Sequence, residues 1–404
     1  MTQKALGAAY EAEELLTGCQ AVSHAVRLAD VDVIAAYPIR PYTEVMDTIS
    51  KLIADGKFDA EYIIADSEHS QFEIAKHASA VGARSFAGSS GTGWMYAMEA
   101  LAVTATDRLP VVALVGNRAL DDPGAFGVEH NDALSVRDLG WLLVWAATAQ
   151  EALDTTLIAY RVAEDPKVMM PCAVAMDGAF LTHSQHMVRL PSKSSVKKFL
   201  PPYSMGNRRL HPDNPISIAP QVNEDWVMEI RRQQFEAMSA SEKVIKEAYQ
   251  EYNGIFGTEY DNPFLECYKT EDAATVLVGM GTVVQPAKMA VDQLRAEGKK
   301  VGFARVVWFR PFPAEDLRRE LASASSVGVV DRDVSFGSPD LGGVLFNDVR
   351  AALYPAKRRP TISGFIAGLG GREISIDDCV KMFAETSEYA KRGVGSVSWI
   401  GVRE

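Results

Sequence analysis

The chain has 404 residues, 47% of them hydrophobic and 23% charged, with a formal net charge of −12. That length allows two or three domains with a large core. The acidic balance argues against broad binding to nucleic acid or membrane surfaces, and no apolar run is long enough to span a bilayer.

In chain order, "EAEELLTGCQAVSHAVRLA" predicts a helix broken or kinked near Gly18. "VDVIAA" predicts a strand, and "VMDTISKLIADG" a helix that stops at glycine. Strand and helix then alternate through "AEYIIAD", "EHSQFEIAKHASAVG", "RSFAGS", "WMYAMEALAVTAT", "LPVVALVG", "EALDTTLIAYRVAED" and "VMMPCAVAMD". Such alternation implies α/β architecture, a parallel sheet covered on both faces. Residues 183–222 are basic, proline-rich and weakly periodic, and read as an extended arm with an interface role. A long helix is expected over 223–253. A second βα series starts near residue 270 with "ATVLVGMG" and "VVQPAKMAVDQLRAEG". "KVGFARVVWFRPFP" reads as one strand and a turn, and the series continues to "RPTISGFIAG" and "IDDCVKMFAET". The expected division is 1–255 and a smaller α/β domain over 256–404.

Several stretches carry chemistry-bearing residues. "YPIRPYTE" (37–44) leaves a strand end, where α/β sheets often bind ligand, and it sets Arg40 between two prolines. Glu68 opens a helix just past a strand, where a carboxylate is favoured by the electropositive helix start. "FAGSSGTGW" is a small-residue βα turn that lets backbone approach a ligand. It matches neither GxGxxG nor a phosphate loop with lysine. "LVGNRALDDPGAFGVEHNDALSVRD" is a long polar loop after a strand, with Arg118 directly behind the apolar run. The histidines show no metal spacing, and no metal held by this chain is expected. Cys19, Cys172, Cys267 and Cys379 lie far apart without CxxC. That gives no iron–sulfur signature and suits reduced, cytoplasmic thiols. The N-terminus lacks a signal-peptide apolar core. "GLGGRE" near the C-terminus reads as a structural or interface turn.

The order of these motifs, closed by "VVWFRPFP", "GLGGRE" and "WIGVRE", resembles the alpha subunit of the thiamine-diphosphate-dependent 2-oxoacid:ferredoxin oxidoreductases over nearly the whole chain. The resemblance implies a pyrimidine-binding thiamine diphosphate domain followed by a transketolase C-terminal-like domain. It implies that Mg²⁺ with the diphosphate half-site lies on a beta subunit. The [4Fe–4S] clusters would lie on gamma/delta or fused ferredoxin-like partners, with ferredoxin as acceptor and a dimer of heteromers as the assembly. No GDG motif and no clustered cysteines occur here, in keeping with half an active site.

The family's cofactor-activating glutamate aligns with Glu68. A carboxyl at the pyrimidine favours the imino tautomer that deprotonates the thiazolium. The resemblance places Pro38, Ile39, Ser89, Ser90 and Gly93 along the cofactor. Arg118 aligns with the arginine that binds the substrate carboxylate, a task suited to a bidentate fork. The family loop commonly reads "YPITP"; here Arg40 stands in place of the threonine. "SSGTG" replaces "SSQG", and Asp121–Asp122 follow the arginine. A second cation suits a substrate with two carboxylates, and this departure looks like the oxalate oxidoreductase branch. Tyr37 is a candidate hydroxyl donor beside Arg40. Asp121 and Asp122 are candidate counter-ions for the arginines when substrate is absent. The alternative for Arg40 is an outward ion pair with Glu44 or a partner chain. The alternative function is a coenzyme A-acylating pyruvate or other 2-oxoacid:ferredoxin oxidoreductase.

Overall fold

Val112–Asn117 and Cys172–Asp177 are buried at every position, as central parallel strands covered on both faces must be. The computed structural model describes residues 9–121 and 123–403. The first half runs β1 (Tyr10–Leu16), α1 (Gly18–Leu28), β2 (Val33–Ala36), α2 (Thr43–Ala54), β3 (Glu61–Ile64), α3 (Glu68–Ala80), β4 (Ser85–Ser89), α4 (Gly91–Tyr96), α5 (Met98–Thr106), β5 (Val112–Asn117), α6 (Asn131–Leu134), β6 (Leu142–Ala146), α7 (Ala149–Ala163), β7 (Cys172–Asp177), β8 (His186–Pro191), α8 (Lys193–Phe199) and α9 (Asn223–Phe256). The second half runs β9 (Leu265–Tyr268), β10 (Thr275–Gly279), α10 (Val284–Ala296), β11 (Val301–Val306), β12 (Trp308–Arg310), α11 (Ala314–Glu320), β13 (Ser326–Asp331), α12 (Val344–Leu353), β14 (Thr361–Ala367), α13 (Ile376–Arg392) and β15 (Val397–Ile400).

Two large sheets result. A 7-stranded sheet has the order β12-β6-β7-β5-β4-β2-β3, and a 6-stranded sheet the order β15-β14-β13-β10-β11-β9. Within the first, only β12 is antiparallel; within the second, only β9 is. The architecture is α/β with two parallel-sheet domains. Edge-to-face aromatics fill the space between α3, α4 and the first sheet. Trp94 lies 5.2 Å from Phe72 and 5.5 Å from Trp141, and all three are fully buried. This block backs the helix starts that carry the site.

Four readings of the sequence need correction. Tyr10–Leu16 is a strand paired antiparallel with β8, and the helix begins at Gly18. Helix propensity in "EAEELL" is a weak preference that strand pairing overrides. The true start is a capping box, with the Thr17 side chain accepting from Gln20 N at 3.2 Å and Gln20 accepting from Thr17 N at 3.0 Å. The 183–222 arm is partly regular, since β8 and α8 occupy much of its first half. "VGFARVVWFRP" is two strands: β11 stays in the second sheet while β12 crosses to the edge of the first. The strands β9 and β15 appear in no sequence-level pattern, because their partners are remote in the chain. The long helix runs to Phe256, where Gly257 closes it at φ 64°.

The two domains meet through buried charge. Arg305 on β11 reaches Glu151 on α7 at 2.6 Å, and Asp177 at the end of β7 accepts from Thr282 N at 2.9 Å. His130 Nε2 lies 2.8 Å from Asp177 Oδ1. Burial alone would raise the Asp177 carboxyl, but His130, Arg332 and Thr282 together hold it well below the usual range. No helix among the described residues is long and apolar enough to cross a membrane.

Candidate active site

The loop after β2 is pinned by its last two residues. The Tyr42 ring lies over Gly88, and Pro41 over Gly116, each where a Cβ would collide. The Cys19 thiol donates to the Pro41 carbonyl at 3.7 Å. With Pro41 and Tyr42 turned inward, the residues before them line the rim: Tyr37 and Ile39 are half-buried, Pro38 and Arg40 exposed. Glu44 does not pair with Arg40; its Oε1 accepts from the Thr17 hydroxyl at 2.9 Å.

Glu68 is the first residue of α3, behind an extended Ser67 whose hydroxyl caps Ser70 N at 3.2 Å. It is only 8% exposed. Its carboxylate lies against Gly93 of α4, where a Cβ would collide with Glu68 Oε1 and come within 2.6 Å of Ile39 Cδ1. Ile39 from the loop after β2, Glu68 from the start of α3 and Gly93 from the start of α4 therefore converge at the C-terminal edge of the first sheet. Ser89, at the end of β4, is fully buried with its hydroxyl unpartnered among the described residues.

Arg118 follows β5 and is buried at 6% exposure. Its Nη1 donates to the Arg40 carbonyl at 3.3 Å, and its Nη2 to Asp121 Oδ2 at 2.9 Å. The Ser90 hydroxyl donates to the same Arg40 carbonyl. Gly91 has φ +51° and must stay bare, because a Cβ there would sit 3.0 Å from Arg118 Nε. Asp121 also accepts from the Thr92 hydroxyl at 3.3 Å. The guanidinium carbons of Arg40 and Arg118 both lie 5.6 Å from the centre of the exposed Phe126 ring. Asp122 lies outside the described residues.

Two contributors escape sequence reasoning. Asp132 is fully buried and ties three segments together, accepting from Gly91 N at 2.9 Å, Arg118 N at 3.0 Å and Asn117 Nδ2 at 2.8 Å. Burial pushes its carboxyl up from the usual range, against the pull of these donors. Its signal was an acid at a helix start in a loop already singled out. Phe126 showed no signal beyond being the one phenylalanine in that polar loop. The loop is also held from the second domain. Gly370 N donates to Glu129 Oε1 at 2.9 Å, Gly371 N to the Val128 carbonyl at 3.2 Å, and Gly127 abuts the Gly370 carbonyl. "GLGGRE" thus braces the loop that carries Arg118.

Residues 24–250 match the family described as pyruvate flavodoxin/ferredoxin oxidoreductase, thiamine diphosphate-binding, and residues 273–379 match pyruvate:ferredoxin oxidoreductase core domain II. Pyruvate synthase subunit PorA of Methanocaldococcus jannaschii is 38% identical over 97% of this chain and 98% of its own. The chain is a 2-oxoacid:ferredoxin oxidoreductase alpha subunit. Ketoisovalerate oxidoreductase subunit VorA of Pyrococcus horikoshii is also 38% identical, over 92% of this chain and 93% of its own. The 2-oxoglutarate:ferredoxin oxidoreductase of Magnetococcus marinus shares the fold, with TM-score 0.70 at 18% identity, over 93% of this chain and 65% of that one.

The site of this alpha subunit fits the pyrimidine end of thiamine. A buried carboxylate stands beside a glycine that leaves room for it, and an unpartnered buried hydroxyl lies at the neighbouring strand end. Adding a Cβ at the brace should separate substrate handling from cofactor binding. Gly127→Ala is expected to lower kcat/KM of the assembled enzyme by roughly tenfold, from the 1–3 kcal/mol typical of overpacking. Thiamine diphosphate affinity should stay unchanged, since Glu68 and Gly93 are untouched. Equal losses in both would show that the loop does not act on substrate alone.

Proposed function

We propose that this subunit activates thiamine diphosphate through Glu68 and holds the substrate carboxylate through Arg118. It would act as one half of an active site that oxidatively decarboxylates a 2-oxoacid. A single juxtaposition carries this reading: Gly93 and Gly91, two residues apart, abut Glu68 and Arg118 respectively. Thiamine diphosphate, when bound, supplies the nucleophilic carbon and the electron sink. Glu68 holds the proton at the pyrimidine end, and Ile39, Ser89, Ser90 and Gly93, with the exposed Pro38, form the wall beside it. Arg118 orients the anion by a two-pronged hydrogen bond. A beta subunit would supply the diphosphate and Mg²⁺ half-site. Gamma/delta or fused ferredoxin-like chains would carry two electrons through [4Fe–4S] clusters to ferredoxin.

The relatives favour a coenzyme A-acylating reaction on pyruvate or a similar 2-oxoacid over oxalate. Yet the pyruvate synthase and ketoisovalerate relatives have the same identity to this chain over their aligned residues, 38% each. Overall identity therefore does not select the acid; the pocket does. One observation favours oxalate as a second reading. Arg40, in place of threonine, shares the Phe126 ring with Arg118. Two guanidinium groups offset the charge of a dianion and polarise a carboxylate carbon for attack. Oxalate would then yield two CO2 and two electrons, leaving no acyl group for coenzyme A. Tyr37 would add a hydroxyl donor. Asp121, already on Arg118, would be the counter-ion that leaves when the dianion arrives, with Asp122 as its neighbour.

The deciding assay uses the native complex, purified without oxygen, reducing a low-potential dye. Coenzyme A-dependent turnover of pyruvate with oxalate silent selects the first reading. Oxalate turnover without coenzyme A selects the second. Under the second, Arg40→Thr should reduce kcat/KM for oxalate by about 10–100-fold, the loss of one hydrogen bond to a charged group. Asp121→Ala should alter turnover or substrate affinity while thiamine binding survives. Unchanged oxalate kinetics in both variants would reject the paired-arginine account. Turnover by this chain alone would reject the half-site reading, and intact activity in a Glu68→Ala complex would make the chain a scaffold.

A further inference from the structure

The five parallel strands of the second sheet lie in the order β11-β10-β13-β14-β15. Counted within that set, the order is 2-1-3-4-5, so successive connections run one way from β10 to β11 and the other way from β13 onward. In open α/β sheets the crevice outside the strand ends at such a reversal is where ligands bind. Here Thr282 follows β10 and Arg332 follows β13, and both line one crevice of about 830 Å³. Its opposite wall comes from the first domain, including Thr148, Phe180 and His186.

The start of α10 is already filled, because Asp177 accepts from the Thr282 amide and hydroxyl. Arg332 is different. It is 4% exposed, and its Nε and Nη1 are buried without a hydrogen-bond partner among the described residues. Its Nε lies 3.9 Å from Asp177 Oδ2, beyond hydrogen-bond reach, and its guanidinium carbon is 4.9 Å from the Phe180 ring centre. Asp177 supplies its counter-charge but no hydrogen bond, and an anion in the crevice would supply the missing acceptors.

The rest of the crevice describes the ligand's body. Gln285, Met289 and Gln293 sit at i, i+4 and i+8 on one face of α10, two amides flanking an apolar surface. Glu373 and Asp377, also from the second domain, line the crevice as exposed carboxylates. They disfavour a second or third phosphate group but accept hydrogen bonds from sugar hydroxyls. We propose that this interdomain crevice binds a nucleoside monophosphate, with the phosphate on Arg332 and the base along the Gln285–Met289–Gln293 face of α10.

The test uses the assembled enzyme saturated with thiamine diphosphate and Mg²⁺, titrated calorimetrically with AMP and with adenosine. AMP should bind saturably, one per copy of this chain, and adenosine at least about tenfold more weakly. Arg332→Gln should weaken AMP binding by about tenfold or more. Met289 is 57% exposed, so Met289→Glu places a carboxylate in the crevice without disturbing the core and should weaken AMP similarly. It decides the matter if Arg332→Gln does not assemble. Absence of saturable AMP binding to the unsubstituted enzyme would overturn the proposal. So would adenosine binding as tight as AMP, or AMP affinity unchanged by the substitutions.

Discussion

Glu68→Gln is expected to lower dye reduction by the assembled enzyme about 10²–10⁴-fold, the range for removing a positioned acid–base group. The substitution keeps volume and the helix start, so the fold should be retained. Ser67 still caps Ser70, and Gly93 still leaves room for the amide. What disappears is the carboxyl proposed to hold a proton at the thiamine pyrimidine. The loss should fall on kcat rather than on the KM of the acid, because Glu68 does not adjoin the Arg118 side of the loop. Exchange of the thiamine C2 proton gives an independent readout. Exchange at the unsubstituted rate in the variant would remove Glu68 from cofactor activation, whatever its effect on turnover.

Arg118→Ala carries the second large effect. Charged hydrogen bonds are worth about 1.5–3 kcal/mol, and a two-pronged contact to a carboxylate lies at or above the upper end. A fall in kcat/KM of about 10²-fold or more follows. Part of that fall is indirect, because Arg118 also supports the Arg40 carbonyl and holds Asp121. Arg118→Lys separates the two components. It restores charge but not the fork, so it should recover only a minor part of the loss. Full recovery by lysine would mean that Arg118 acts as a point charge. Unchanged kinetics in the alanine variant would exclude it from substrate binding. Asp132 supplies a control from below: it touches the Arg118 backbone rather than its guanidinium.

The residues proposed for the site were readable because they lie at strand ends in order. Glu68 after β3, Ser89 at the end of β4 and Arg118 after β5 each come at the C-terminal edge of a parallel strand, and local pattern shows strand ends well. Arg40 stood out as a cation between prolines. Asp132 and Phe126 were harder, because their importance rests on contacts 14 and 41 residues away or on a shared ring, which no local pattern encodes. The strand Tyr10–Leu16 was misread for a related reason, since its partner lies at His186–Pro191.

Periodicity, capping and strand-end chemistry by themselves determined the α/β class, the two βα series and most of the candidate site. Those are short-range consequences of backbone geometry and burial. Only the tertiary structure decided which side chains meet. It set the Gly370–Gly371 turn of the second domain against the loop that carries Arg118, sent β12 to the first sheet, and left the Arg332 guanidinium buried between the domains with Nε and Nη1 unpartnered among the described residues. Each of these depends on where separate chain segments pack, and the free energy of packing is summed over residues that the sequence keeps far apart.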